Sequence, residues 1–182
     1  MNPDLINSVL LVIVFFFGLS VGSFINVCVY RIPLKKSIIL PRSFCPKCGS
    51  PIAWYDNIPI LSYLLLKGRC RHCGKSISIG YPLVELTVGL LFDWTHIFVL
   101  GRRLDPILIP FFWYFCASLV ALSLIDWKHY ILPDSITYPL LAVGILFAVL
   151  HPRHLGEISI GSAVLKSLLG LVVGGAVLWL IG

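Results

Sequence analysis

Five apolar segments, each about as long as a membrane-spanning helix, occupy most of this chain and constrain its fold more than any other feature. A helix needs about 20 apolar residues to cross a hydrocarbon core roughly 30 Å thick. With 58% hydrophobic residues and a mean hydropathy of +0.96, the chain is typical of membrane proteins. We therefore predict an α-helical polytopic membrane protein with about five transmembrane helices. The segments are Leu5–Tyr30, Tyr81–Leu100, Pro106–Ile125, Leu132–Leu150 and Ile160–Ile181.

The first apolar segment is predicted to be a retained helix. A signal peptide carries basic residues before a shorter apolar run and ends in a small-residue cleavage site. Here Asp4 precedes the run, and the basic residues Arg31, Lys35 and Lys36 follow it.

Positive charge is concentrated in the segment between the first two apolar runs, residues 31–80, which we call the cysteine insert. It holds nine of the fourteen Lys and Arg residues and one acid, Asp56. The positive-inside rule places such a segment in the cytoplasm, although Arg102 and Arg103 on an outer turn oppose it. Counting helices puts the N-terminus and the turns 101–105 and 151–159 outside, and residues 126–131 and Gly182 inside. A nucleic-acid partner is not expected, because the net charge of +6 does not form a basic face on a folded core.

Two C-x-x-C pairs, Cys45/Cys48 and Cys70/Cys73, predict a four-cysteine metal site in the insert. Four thiolates hold Zn²⁺ tetrahedrally, and Gly49 and Gly74 follow the pairs where a tight turn is needed. Because the coordination sphere is then closed, the zinc is predicted to be structural. The insert is short, so the metal is expected to supply much of its stability.

Other roles for the cysteines stay open. A redox C-x-x-C usually lies in a βαβ context, which is missing here, and His72 could replace one thiolate as a ligand. Cys28 and Cys116 lie in apolar runs and are expected to be packing residues. Between Phe44 and Ser78 we expect irregular structure with short strands.

Ionisable residues at membrane depth are candidate functional residues, because each is costly unless paired or hydrated. Asp126 is the main candidate, because it directly follows an apolar run at the predicted cytoplasmic boundary. An aspartic protease needs two carboxylates that share a proton, one activating water and the other protonating the scissile carbonyl. The candidates are Glu85, Asp93, His96, Asp126, Lys128, His129 and Asp134.

Asp134 is a weaker catalytic candidate. On a continuous helix it would lie about 12 Å along the axis from Asp126, and Pro133 is expected to interrupt that helix. We expect Asp134 to cap a helix that starts near Ser135. Glu85 has a purely structural alternative, as a snorkelling or helix-start carboxylate. Asp93 and His96 could likewise form a hydrogen bond with each other. The G-x-x-x-G spacings Gly18/Gly22 and Gly170/Gly174 predict close helix packing.

Several strings in the chain resemble the bacterial type IV prepilin peptidases, in the order that family has them and over almost the whole length. These strings are GSFINVCVYRIP from Gly22, the double cysteine motif with DNIPILS and GRCRHC, YPLVE ending at Glu85, and IDWKHYILPD from Ile125.

The resemblance implies an inner-membrane aspartic protease of the GxGD class that removes the basic leader of prepilins and pseudopilins at the cytoplasmic face. Members with the cysteine insert commonly also methylate the new N-terminus with S-adenosylmethionine, whose binding residues we cannot assign. Asp126 matches the first catalytic aspartate of the family. The second belongs to a G-x-G-D segment that does not occur in residues 1–182. We expect a truncated sequence rather than a degenerate family member.

The predicted organisation has three parts: a first transmembrane helix (1–30), a cytoplasmic tetracysteine zinc domain (31–80) and a four-helix transmembrane region (81–182). Two other classes of function remain. One is a non-catalytic, zinc-stabilised membrane module that binds prepilins or secretion components, and the other is a membrane thiol oxidoreductase. The sequence indicates neither an oligomeric state nor which prepilins would be substrates.

Overall fold

The computed structural model describes residues 3–152 and 159–181, which form six α-helices and a short 3-10 helix. The 3-10 helix is Trp54–Asn57. The α-helices are α1 (Pro3–Arg31), α2 (Leu61–Leu65), α3 (Gly80–Gly101), α4 (Leu108–His129), α5 (Asp134–Leu150) and α6 (Ile160–Ile181).

Four of these helices are long and apolar enough to cross a membrane: α1, α3, α4 and α6. The fifth expected segment, α5, has 17 residues and is about 26 Å long, a little short of the roughly 30 Å hydrocarbon core. It begins at Asp134, two residues later than expected, because Pro133 precedes it. The expected helix count is thus confirmed for a multi-pass membrane protein, with one short member.

Helix α4 ends later than the sequence predicted. The expected end was Ile125, but the helix continues to His129 and closes on Tyr130, which has a left-handed backbone with φ 54°. The Tyr130 amide donates to the carbonyl of Asp126 at 2.8 Å. Asp126 therefore lies within the last helical turn and not after it.

The chain divides into two compact units, Met1–Pro133 and Asp134–Gly182. In the first unit α1 and α3 run antiparallel and approach closely at glycines. A Cβ on Gly18 would lie 2.7 Å from the Cα of Gly89, and a Cβ on Gly22 would lie 2.7 Å from the Cα of Glu85. The close packing predicted from Gly18 and Gly22 is confirmed.

An aromatic cluster joins α1, α3 and α4. The rings of Phe92 and Trp113 stack with centroids 5.0 Å apart, and Phe17 lies 5.7 Å from Trp113. The Trp113 indole donates to the carbonyl of Phe92 at 3.1 Å, which satisfies its polar atom within apolar surroundings. The outward side chains of α1 remain largely exposed, as lipid-facing residues do: Val9 is 51% and Ile13 59% exposed.

The second unit consists of α5 and α6, which pack on each other. Pro139 lies inside α5, and Ala148 and Ala163 are fully buried. A Cβ on Gly170 or Gly174 would meet nothing within 4 Å, so these glycines do not lie at the contact of α5 with α6, and the close packing predicted for the second spacing stays a prediction. Residues 153–158 of the predicted outer turn, and Gly182, lie outside the described residues.

The cysteine insert is mostly irregular, as predicted, but in the described part of the chain it forms isolated bridges rather than strands. The bridges are Phe44 with Pro51 and Arg69 with Ser76. The division into three domains stays a prediction, because the first compact unit contains α1, the insert, α3 and α4 together.

Candidate functional site

The four cysteines of the insert come together at one point. Their sulfur atoms all lie within 4.8 Å of one another, Cys45 Sγ and Cys73 Sγ are 4.0 Å apart, and none is in a disulfide. A tetrahedral zinc with Zn–S bonds of 2.3 Å would hold its sulfurs about 3.8 Å apart. The donor set and its geometry therefore fit a zinc ion. His72 is not part of the cluster, so its alternative role as a ligand is not supported.

Two equivalent turns build the cluster, one around each cysteine pair. In the first, Gly49 donates to the carbonyl of Cys45 at 2.8 Å, and in the second Gly74 donates to Cys70 at 2.9 Å. Both glycines have positive φ, 73° and 67°, which a side chain would strain. The β-bridges close the two turns at the same offset from the cysteines.

Hydrogen bonds, desolvation and neighbouring sulfur atoms shift the pKa values of three thiols in the cluster. Hydrogen bonds from Ser50 lower the pKa of Cys48 to about 6, and the backbone amide of Cys73 lowers the pKa of Cys70. At Cys73 the Lys75 amide favours the thiolate, but desolvation and the neighbouring sulfurs outweigh it and raise the pKa to about 11. Deprotonation of all four thiols would place negative charges close together, and a bound metal ion would balance them.

Two arginines stabilise the rest of the insert. Buried Arg31, which is 5% exposed, ends α1 and donates to the carbonyls of Ser37 at 2.9 Å and Pro41 at 2.7 Å. Arg71 forms a bidentate pair with Asp56, with distances of 2.7 and 2.6 Å, which lowers the pKa of Asp56. In the sequence Arg31 counts only as one of the basic residues that orient the chain in the membrane. Its role in the loop could not be predicted, because the sequence does not show which backbone carbonyls face its side chain.

Glu85 joins the insert to the helices. It is 7% exposed, and its Oε2 accepts a 2.7 Å hydrogen bond from the backbone amide of Ile60. That amide lies at the start of α2, where helix N–H groups lack partners. The interpretation of Glu85 as a snorkelling or helix-start carboxylate is wrong, because the side chain is buried and caps a different helix.

Asp93 and His96 do not form the expected hydrogen bond. Asp93 Oδ1 and His96 Nδ1 are both buried without a hydrogen-bond partner among the described residues. The His96 ring stacks instead on Trp113, with centroids 6.4 Å apart. Cys28 is buried and Cys116 half-buried, as expected for packing residues.

Asp126 is exposed on the last turn of α4, as are Lys128 and His129. Its side chain has no hydrogen bond or ion pair among the described residues. The aromatic residues next to it are also uncovered: Trp127 is 83% and Tyr130 88% exposed.

Asp126 lies at the same end of the first compact unit as the cysteine insert. The Trp113–Phe92 contact fixes the register of the antiparallel helices α3 and α4. Asp126 lies 13 residues after Trp113 in α4, about 20 Å along the helix axis. Gly80 lies 12 residues before Phe92 in α3, about 18 Å along the axis. Both lie in the same direction from the contact, because the two helices are antiparallel. Asp134 is exposed in the first turn of α5, one residue inside the helix it was expected to cap, and belongs to the second unit.

Comparison with known proteins covers both halves of the chain. The model of the bacterial peptidase A24 N-terminal domain matches residues 16–99, and the model of the type IV leader peptidase family matches residues 113–182. The chain belongs to the type IV leader peptidase family. The first match contains the cysteine cluster and Glu85, and the second contains Asp126 and Asp134.

Curated relatives in the type IV leader peptidase family carry the name prepilin leader peptidase/N-methyltransferase. The relative from Myxococcus xanthus is 45% identical over 153 residues, which are 80% of this chain and 42% of the relative. The Klebsiella pneumoniae relative is 44% identical over 73% of this chain and 59% of its own length. The Vibrio cholerae relative is 39% identical over 79% of this chain and 58% of its own length. The chain thus spans 42 to 59% of the length of these relatives. No solved structure matches it.

Proposed function

We propose that this chain carries the N-terminal and central parts of a membrane aspartic endopeptidase. The enzyme would remove the basic leader of type IV prepilins and pseudopilins at the cytoplasmic face and then N-methylate the new amino terminus. Membership of the leader peptidase family and the names of the relatives support this proposal.

The position of Asp126 carries the peptidase part. Its carboxyl is exposed at the end of α4 and has no partner among the described residues, and it lies on the side of the first compact unit that bears the basic insert. A substrate whose apolar helix lies among the transmembrane helices would present its leader at this level. The exposed Trp127 and Tyr130 would flank that substrate.

Hydrolysis of this type needs two carboxylates. One deprotonates the attacking water, while the other protonates the carbonyl oxygen of the scissile peptide. We assign Asp126 to this pair and propose that a G-x-G-D segment, which residues 1–182 do not contain, supplies the second carboxylate. Asp134 is the weaker candidate for that second carboxylate, because it lies in the first turn of α5, where a carboxylate serves the helix N-terminus.

The methylation part rests on the relatives' name and on the N-terminal domain match. S-adenosylmethionine would supply an electrophilic methyl group on a sulfonium. The free amine of the cleaved pilin must lose a proton, and its nitrogen lone pair then bonds to the methyl carbon as the carbon–sulfur bond breaks toward sulfur. Zinc would be structural, held by Cys45, Cys48, Cys70 and Cys73.

The proposed location is the bacterial inner membrane, with the N-terminus outside and both the insert and Asp126 on the cytoplasmic side. The nine basic residues of the insert support this orientation. Epitopes placed at 38–40 and at 102–105 test it. The first is expected to become accessible only after the cells are opened, and the reverse result would contradict the topology.

A second candidate function is a zinc-stabilised membrane module that binds prepilins without cutting them. It is favoured for residues 1–182 alone because Asp126 has no carboxylate partner among the described residues and the G-x-G-D segment does not occur in this sequence. To separate the two functions, this chain and a longer polypeptide that carries the G-x-G-D segment are incubated with one prepilin in proteoliposomes. We expect both to bind it and only the longer one to release the leader. Failure of the longer polypeptide to cleave would overturn the peptidase proposal.

A further inference from the structure

A cavity of about 230 Å³ lies where α1, α3 and the cysteine insert meet. The α1 side contributes Ser23, Asn26 and Tyr30, and α3 contributes Tyr81 and Glu85. The Asn26 amide donates to the Tyr81 carbonyl at 3.1 Å, which fixes the two helices at the level of the cavity. Nothing in the proposed peptidase chemistry uses this cavity.

Glu85 is a buried acidic group in the cavity wall without a cationic partner. It is 7% exposed, and among the described residues it forms no ion pair. The amide of Ile60 satisfies Oε2 at 2.7 Å, and the Ser23 hydroxyl also interacts with the carboxyl. These groups donate hydrogen bonds but bring no net charge. Burial of an unpaired carboxylate costs several kcal/mol, which a bound cation would offset.

Four basic side chains line the cavity: Arg31, Lys47, Arg71 and His72. Among the described residues His72 forms no ion pair with Glu85, and the other three are engaged elsewhere. Arg31 donates to the carbonyls of Ser37 and Pro41, Lys47 donates to the carbonyl of Ser76 at 2.8 Å, and Arg71 pairs with Asp56. None of them neutralises Glu85. The position beside that carboxyl is therefore suited to a cation from outside the chain.

At about 230 Å³ the cavity fits a charged group with its nearest substituents rather than a whole nucleoside, so the adenosyl part of a bound S-adenosylmethionine would extend out of it. Drug-sized ligands occupy pockets of about 300 to 1,000 Å³, which is more than this cavity offers. Tyr30 and Tyr81 line it, and aromatic rings favour diffuse cations such as sulfonium and substituted ammonium groups. Lys36 Nζ already lies 5.9 Å from the centroid of the Tyr30 ring, so Tyr81 is the candidate contact for a ligand cation.

We propose that this cavity binds the cationic group of the methyl-transfer reaction and that Glu85 is its counter-ion. This inference rests on the methyltransferase part of the proposed function. Two sources share the required chemistry: the sulfonium of S-adenosylmethionine and the amino-terminal ammonium of the cleaved pilin. In either case the cation binds beside the zinc cluster, because Cys45 and Cys70 line the same cavity.

Equilibrium binding to the zinc-loaded chain in nanodiscs tests this assignment. S-Adenosylmethionine is compared with S-adenosylhomocysteine, which lacks the sulfonium charge, and a pilin peptide with a free amino terminus is compared with its acetylated form. Wild type is expected to prefer the cationic member of one pair by about tenfold or more. The pair that shows the preference identifies the source of the cation.

The variant Glu85→Gln keeps an oxygen that can accept the Ile60 amide but removes the charge. It is expected to bind both members of the discriminating pair equally, at the affinity of the neutral one. Asp93→Asn changes a half-buried carboxyl on the same helix, outside the cavity lining; it is the matched control and is expected to keep the preference. Zinc content and thermal stability show whether Glu85→Gln remains folded; if it does not, Glu85→Asp, which keeps the charge, is expected to retain the preference.

An unchanged preference in Glu85→Gln would overturn the assignment of Glu85, as would the absence of any preference in wild type. If neither S-adenosylmethionine nor the peptide binds at all, the methyltransferase part of the proposed function fails as well. An unchanged or missing preference with binding intact contradicts only the role of Glu85. Complete loss of binding contradicts the methyltransferase function, so the two failures are distinguishable.

Discussion

Gly22 lies so close to Glu85 that a Cβ on Gly22 would sit 2.7 Å from the Cα of Glu85. The Glu85 carboxylate also accepts a hydrogen bond from the backbone amide of Ile60 in the insert. Gly18 approaches the Cα of Gly89 equally closely, at 2.7 Å. The contact at Gly22 thus lies at the level where the insert attaches to α3.

Gly22→Ala is expected to destabilise the first compact unit by about 1–3 kcal/mol, because the backbone of α3 must move to admit the methyl group. Gly174→Ala is the matched control, since a Cβ there meets nothing within 4 Å and alanine favours a helix. Thermal unfolding in detergent compares the two. Equal melting temperatures would contradict the packing described here.

Glu85→Ala is expected to loosen the insert, because it leaves the Ile60 amide without an acceptor at a cost of about 1–3 kcal/mol. Glu85→Gln is expected to cost less, since its side-chain oxygen can take over that hydrogen bond. Hydrogen exchange at residues 58–66 is the measurement. If Ile60 exchanges equally fast in wild type and Glu85→Ala, this capping interaction does not stabilise the insert.

Cys48→Ser is expected to remove most of the bound zinc and to expose the insert to protease, since loss of one of four thiolates opens the coordination sphere. Cys116→Ser, outside the cluster, serves as the control and is expected to bind one zinc per chain like wild type. Metal analysis with limited proteolysis distinguishes them. Full zinc occupancy in Cys48→Ser would count against the four-cysteine site.

Arg31→Lys is expected to loosen residues 37–42, because a lysine ammonium cannot reproduce the fork that contacts several carbonyls at once. Arg42→Lys is the matched control, since the Arg42 side chain is exposed and no hydrogen bond from it occurs among the described residues. Proteolysis within the loop is the readout, and faster cleavage is expected for Arg31→Lys only. Equal rates in both variants would show that the buried guanidinium does not order this loop.

The sequence predicted the helices and the metal cluster well, because both depend on local patterns. Apolar length identified the spanning segments, and the two C-x-x-C pairs identified the four sulfurs that the fold brings together. Gly18 and Gly22 correctly predicted a close helix contact. For Gly170 and Gly174 the contact stays a prediction, because they do not face α5 and spacing alone does not show which helix lies opposite.

What the sequence did not predict depends on contacts between distant residues. The bond from Ile60 to Glu85 joins positions 25 residues apart, and the loop carbonyls around Arg31 have no sequence signature. The end of α4 was placed four residues early because Asp126 was taken as a boundary, whereas a helix tolerates polar residues in its last turn and stops at the left-handed Tyr130. The missing Asp93–His96 bond shows that i, i+3 spacing permits a contact without enforcing it.

The central claim, that Asp126 is one of two carboxylates that hydrolyse prepilin leaders, is tested most directly by the cleavage rate of a polypeptide that also contains the G-x-G-D segment. Mass spectrometry follows leader release by wild type, Asp126→Asn and the matched control Asp134→Asn in proteoliposomes. The account predicts that Asp126→Asn lowers the rate by at least about a thousandfold, while Asp134→Asn retains cleavage and both variants keep zinc. Cleavage by Asp126→Asn at the wild-type rate would contradict it.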